Sequence, residues 1–221
     1  MIIKVCGMRD GENIRQVAEL GVDWIGMIFW PKSPRNVTMI PSHAGIIPDR
    51  GSLSFKDHQR SPLRVGVFVD EMAQNIITRV VNFQLDLVQL HGHETPTLIR
   101  NLRRTLADIR PVKFIKAISV ASSDDIEAYK DYMDCVDYFL FDTKCPTVGG
   151  SGNHFDWTVL DAYDGETPLL LSGGIGPDDA ERVKAFHHPK CIGIDLNSKF
   201  EVEPGLKDIN KLREFIKEIR L

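Results

Sequence analysis

Short apolar runs recur along the chain at a long, regular spacing. They occupy residues 2–6, 22–29, 63–69, 85–90, 112–118, 136–141, 167–171 and 191–196. Each is rich in β-branched or aromatic side chains, the composition of strands buried on both faces. Starts at residues 2 and 191 leave intervals averaging about 27 residues, near the length of one βα unit. Between the runs the apolar positions take a helical period. After Asp10, which suits an N-cap, Ile14, Val17 and Ala18 line one face before a stop at Gly21. Met72, Ile76, Val80 and Phe83 repeat the stripe after the third run, and Leu98, Leu102 and Leu106 after the fourth. Ala180, Val183 and Phe186 follow Pro177, a first-turn proline, and Ile209, Leu212, Ile216 and Ile219 form the last stripe.

Strands alternating with helices predict an α/β protein with a parallel sheet, closed as a (β/α)8 TIM barrel or open and doubly wound. No G-x-G-x-x-G turn follows the first run, so the closed barrel is expected. No linker or low-complexity stretch interrupts residues 1–221, which predicts one barrel domain. The polar segment 49–61 (DRGSLSFKDHQRS) predicts a long surface loop before the third strand, with no function assigned to it.

Composition removes several function classes. A net charge of -4 lacks the basic footprint of a nucleic-acid binder. No apolar run approaches bilayer-spanning length, and Lys4 interrupts the N-terminus where a signal peptide would need apolar residues. A cytoplasmic protein without a membrane partner is expected. Cys6, Cys135, Cys145 and Cys191 are widely spaced and form no Cys-x-x-Cys pair, which predicts free thiols and no metal site.

In this fold the chemistry gathers at the C-terminal ends of the strands. That rule selects Cys6 after strand one, Arg35 after strand two, Gln89 and His91 around the end of strand four, and Asp142 at the end of strand six. It also selects Gly150, Ser151 and Gly152, then Gly173 and Gly174, then Asp195, Asn197 and Ser198. The segments VGGSG, SGGIG and DLNS, after strands six, seven and eight, have the glycine and small polar content of an anion cradle, where backbone N–H groups can approach a phosphate.

Two readings stay open for most of these residues. Cys6 and Asp142 fit a general base and acid on opposite walls, yet a free Cys is commonly a small core residue and an Asp a cap or turn residue. Lys4, two residues before Cys6, points the same way in a strand. It either favours the thiolate or fills the interior against a carboxylate. Arg35 in WPKSPRNV fits a bidentate carboxylate clamp or an ordinary surface arginine. His91 in VQLHGHE fits a ligand contact, an acid or a cap.

Taken together, KVCGMR, FWPKSPR, VGVFV, VQLHG, FDT, GGSGNHFDW, LSGGI and IDLNSKFEVEPGLKD, spread over residues 4–208, resemble in order the signature segments of phosphoribosylanthranilate isomerases. The resemblance implies a cofactor-free and metal-free Amadori rearrangement of N-(5'-phosphoribosyl)anthranilate in L-tryptophan biosynthesis. Cys6 would be its general base and Asp142 its general acid, with Arg35 on the anthranilate carboxylate. The backbone around Gly150–Gly152, Gly173–Gly174 and Asn197–Ser198 would hold the phosphate. The implied partner is therefore an anionic sugar phosphate carrying an anthranilate, bound by a monomer or a homodimer.

Two segments depart from the family pattern. Asn197 and Lys199 in DLNSKFE stand where Ser and Gly are usual, and Asn153 stands where Lys is frequent. Three rivals remain at this stage. A histidine-pathway sugar-phosphate isomerase would use two aspartates. A Schiff-base aldolase would use Lys113 or Lys116. A non-catalytic barrel would merely bind a phosphorylated metabolite.

Overall fold

The computed structural model describes residues 1–38, 61–143 and 156–221. Segment 49–60 of the expected surface loop lies outside the described residues, as do Gly150, Ser151 and Gly152. Eight parallel strands close into a barrel in chain order: β1 Ile2–Val5, β2 Trp24–Ile28, β3 Leu63–Phe68, β4 Leu87–Leu90, β5 Lys113–Val120, β6 Tyr138–Thr143, β7 Leu169–Ser172 and β8 Cys191–Leu196. Closure comes from β1 pairing with β8, Ile2 opposite Gly193 through Val5 opposite Leu196. That register sets Lys4 beside Asp195 at the mouth.

The expected stripes are the α-helices: α1 Gly11–Glu19, α2 Ala73–Asn82, α3 Pro96–Ala107, α4 Ala180–Ala185 and α5 Ile209–Arg220. Asp10 caps α1 by accepting from the Asn13 backbone N–H at 2.8 Å. The stripe edges shift in detail. Met72 precedes α2 as its exposed N-cap rather than opening its buried face, and Ile99 rather than Leu98 is buried on α3. Ser123–Tyr132 and Trp157–Ala162, in the crossovers after β5 and β6, are 3-10 turns. An antiparallel pair, β9 Glu201–Glu203 and β10 Leu206–Lys207, was not among the expected strands.

Among the described residues, three apolar clusters follow the geometry. Two fill the space between strands and helices, and the third, which includes Val65, Val67, Leu87, Ile115 and Leu140, fills the barrel interior below Cys6. Gly26 on β2 makes room for the thiol: a Cβ there would lie 2.8 Å from Cys6 Sγ. No described helix is long and apolar enough to cross a membrane.

Candidate active site

A cavity of about 260 Å³ opens at the C-terminal ends of the strands, lined by Cys6, Gln89, His91, Asp142, Gly173, Gly174, Asp195, Asn197 and Ser198. Every described site residue expected from the sequence except Arg35 lines it, and Lys199 joins them. A second cavity, of about 370 Å³, lies at the other end of β8 beside Met1, His187, His188 and Cys191, away from the acid–base candidates.

Cys6 follows β1 and is 4% exposed. Its backbone N–H continues the ladder to the Leu196 carbonyl at 2.8 Å, so the side chain is fixed at the barrel mouth. Below it Lys4, fully buried, donates to Asp195 Oδ1 at 2.9 Å. Burial pushes the Cys6 thiol above its ordinary value, the Lys4 ammonium pulls it back, Asp195 raises it, and Lys207 adds a smaller pull downward. Burial also works against the Lys4 ammonium, but Asp195 and Cys6 more than offset that and leave it raised. For Asp195, burial wins and raises the carboxyl against the pull of Lys4. The 2.9 Å contact between the two buried side chains keeps Lys4 charged.

Across the mouth, Asp142 stands in β6 between Ser119 and Ser172 of the neighbouring strands. His91 Nε2 lies 3.3 Å from Asp142 Oδ2, and Gln89 Nε2 lies 3.2 Å from His91 Nδ1. With the Gln89 amide in this orientation its nitrogen donates to His91 Nδ1, which leaves Nε2 to face Asp142. Among the described residues, Gln89 Oε1 is buried without a hydrogen-bond partner.

The loop carrying His91 is held from below by a second buried pair. Lys116 Nζ contacts Glu94 Oε2 at 3.0 Å and the carbonyls of Gly92 and Leu90, on either side of His91, at 2.6 and 3.4 Å. Glu94 in turn accepts from the Gly92 and Asp70 backbone N–H groups. Lys113 donates to the Tyr138 hydroxyl at 2.9 Å near the start of β5. Neither lysine lines the mouth cavity, so neither offers a free amine to a Schiff base there.

Of the segments expected to form an anion cradle, those after β7 and β8 are among the described residues. Gly173, with φ of 98°, lets the chain after β7 turn against β6, where a Cβ would sit 2.0 Å from the Thr143 carbonyl oxygen. At Gly174 a Cβ would meet nothing within 4 Å, so its backbone faces open space. Ser198–Phe200 makes a single 3-10 turn on the facing side.

Arg35 does not line this cavity. The loop after β2 returns through Val37 N–H to the Ile28 carbonyl at 2.8 Å. It delivers the Arg35 guanidinium to Glu201, with Nε at 2.8 Å and Nη2 at 2.6 Å. Glu201 also accepts from Lys207 Nζ at 2.7 Å, and Lys207 contacts Asn197 Oδ1 at 2.8 Å. Glu201 and Lys207 were not expected from the sequence. The signal that could have found them is the Pro204-Gly205 turn in EVEPGLK, a hairpin punctuation between two short runs.

The family model for N-(5'phosphoribosyl)anthranilate (PRA) isomerase matches residues 3–218. The chain belongs to this family. It is similar to the N-(5'-phosphoribosyl)anthranilate isomerase of Parabacteroides distasonis, at 47% identity over 99% of this chain and 93% of the relative. The phosphoribosyl anthranilate isomerase of Thermotoga maritima has a similar structure, at TM-score 0.76 and 30% identity over 100% of this chain and 99% of that one. A further phosphoribosyl anthranilate isomerase structure, in complex with reduced 1-(o-carboxyphenylamino)-1-deoxyribulose 5-phosphate, matches at TM-score 0.74 and 27% identity over 100% of this chain and 99% of that one. Membership makes the chain an isomerase of tryptophan biosynthesis, which removes the non-catalytic barrel from consideration.

Proposed function

We propose that this chain converts N-(5'-phosphoribosyl)anthranilate to 1-(2-carboxyphenylamino)-1-deoxyribulose 5-phosphate with Cys6 as general base and Asp142 as general acid. The observation that carries the assignment is that both side chains line one cavity at the strand ends, with the glycine turn of Gly173 and Gly174 on the same rim. Asp142 gives a proton to the furanose ring oxygen, the C1'–O bond breaks, and the anthranilate nitrogen forms an iminium. Cys6 takes the proton from C2', its electron pair neutralises the iminium, and an enolamine results. Protonation at C1' with loss of the 2'-hydroxyl proton then yields the ketose.

The electrostatics fit this order. A thiol raised by burial is a poor base in the resting site. The iminium formed in the first step sets a cation near it and favours the thiolate when it is needed. Lys4, already facing Cys6, acts in the same direction. The substrate supplies its own electron sink, so the reading requires no cofactor. Gly173, Gly174, Asn197 and Ser198 hold the phosphate, with Gly150, Ser151 and Gly152 completing the cradle and Lys199 adding a cation. Gln89, His91 and Asp195 complete the pocket around the ribose, and Arg35 takes the anthranilate carboxylate.

The test is the loss of substrate fluorescence during turnover without added metal. Cys6→Ser and Asp142→Asn should each lower kcat/KM by at least about a hundredfold. Near-normal turnover in either variant removes that residue from the chemistry.

A further inference from the structure

A carboxylate clamp needs an arginine held in place and still carrying net positive charge. Arg35 meets both needs through residues on the β9–β10 hairpin. Glu201 takes one edge of the guanidinium: Nε lies 2.8 and 3.0 Å from its two oxygens, and Nη2 lies 2.6 Å from Oε2. The guanidinium is a planar fork with five donors, so the edge formed by Nη1 and Nη2 can still face a second carboxylate. Among the described residues Nη1 has no hydrogen-bond partner.

Glu201 alone would cancel the charge of Arg35. Lys207 prevents this. Its fully buried side chain donates to Glu201 Oε1 at 2.7 Å, which puts two cations on one carboxylate; burial pulls the Lys207 ammonium below its ordinary value, and the contact with Glu201 opposes that pull. Lys207 is itself held on several sides. Asn197 offers Oδ1 at 2.8 Å and its carbonyl at 3.3 Å, and Asn13 on α1 exchanges two hydrogen bonds with the Lys207 backbone. Burial opposes the charge on Glu201, but Arg35 and Lys207 hold its carboxyl below the ordinary range.

The cluster also abuts the reaction centre. At Gly7, the residue after Cys6, a Cβ would lie 2.7 Å from both Arg35 Cδ and Asn197 Oδ1. The loops after β1, β2 and β8 therefore close on one point, and only glycine leaves room for them there, at φ of 78°.

We infer that Glu201 and Lys207 are positioning residues that aim Arg35 and keep it net positive, so that preference for a carboxylated aryl amine is set by the β9–β10 hairpin together with Arg35. This rests on the reading of Arg35 as the carboxylate clamp. A pinned arginine loses less rotamer freedom when the ligand arrives, which is where the gain in affinity arises.

Two ligands separate the possibilities: reduced 1-(2-carboxyphenylamino)-1-deoxyribulose 5-phosphate and the same compound without the ring carboxylate. The ratio of their Kd values measures what the carboxylate contributes, about a hundredfold for a charge-assisted bidentate contact. Arg35→Ala should bring the ratio near unity. Glu201→Asp keeps the negative charge but withdraws it from the fork, and should cut the ratio about tenfold. Lys207→Met keeps the fork but removes the excess charge, and should lower the ratio and its salt dependence. In Glu201→Asp the uncarboxylated ligand should bind as it does to wild type, which also reports that the site has folded; Lys207→Met also frees Asn197 on the phosphate side and weakens both ligands together, so there the ratio alone reports on Arg35.

If Arg35→Ala leaves the ratio intact, the clamp reading fails and the inference falls with it. If Arg35→Ala abolishes the ratio while Glu201→Asp and Lys207→Met leave it unchanged, the clamp stands and the inference alone is overturned. If Glu201→Asp does not fold, Lys207→Met decides by the same criterion.

Discussion

Cys6 is 4% exposed and sits over a fully buried Lys4–Asp195 pair, whereas Asp142, across the same mouth, is 23% exposed and meets His91 at 3.3 Å. Both residues stand at strand ends of one barrel, yet one wall is dry and charged beneath and the other is loosely bonded and open to water. The difference suits the proposed roles. Burial in a dry wall disfavours the thiolate, and cations placed near it favour the thiolate that acts as the base. A carboxyl that must regain a proton in every cycle benefits from an exposed edge and from hydrogen bonds too long to hold it rigidly. The lesson is that one ring of strand ends can give two titratable groups opposite environments through the residues packed one layer below.

The largest expected effect comes from removing the cation under the dry wall. Lys4→Met leaves Asp195 buried without its partner and should destabilise the fold by about 3–5 kcal/mol. Because the Lys4 pKa is raised, its contribution is complete below the ordinary lysine value and is lost only as pH rises through the higher folded value. Urea unfolding at neutral pH therefore reads the whole contribution. In the protein that remains folded, kcat/KM should still rise with pH as Cys6 ionises, but with the limb displaced to more alkaline pH than in wild type. An unmoved limb would mean that Lys4 does not act on Cys6.

Lys116→Met sharpens the contrast. It breaks a pair as buried as the first, with side chains 4% and 1% exposed, and should also cost about 3–5 kcal/mol. Lys116 supports the His91 loop and does not face Cys6, so the alkaline limb should stay where it is. A shifted limb would show that the two buried lysines are not distinct in role.

His91→Asn tests the open wall. It removes one long, half-exposed contact to Asp142, and a fall in kcat of about tenfold is expected, smaller than for Asp142→Asn. A loss equal to that of Asp142→Asn would make His91 part of the acid itself. The smallest effect belongs to Lys199→Gly on the proposed phosphate rim: a rise in KM of a few fold, about what one exposed ion pair contributes, with weaker salt dependence. An unchanged KM would remove Lys199 from the phosphate site.

What was legible in the chain follows from the range of each interaction. Strand and helix stripes are local, so the runs at 2–6 and 191–196 and the stripe of Ile14, Val17 and Ala18 were readable directly. The direction of Lys4 and Cys6 came from the two-residue period of a strand. The partner of Lys4 did not, because Asp195 is 191 residues away and is brought beside it only by barrel closure. Arg35 is a similar case. Its chemistry was visible, but its contact with Glu201, 166 residues on, depends on a hairpin whose strands are too short to show a period. Asp142 was expected at the end of the strand and stands within β6, since Thr143 also joins the ladder, opposite Val120.

The measurement that most directly tests the division of labour is the kinetic isotope effect on substrate deuterated at C2', compared between Cys6→Ser and Asp142→Asn. With Cys6 as the base, weakening it makes proton removal from C2' rate-limiting, so Cys6→Ser should show a large primary isotope effect. With Asp142 as the acid, weakening it stalls ring opening before that proton moves, so Asp142→Asn should show none. An isotope effect that is equal in the two variants, or larger in Asp142→Asn, would contradict the assignment.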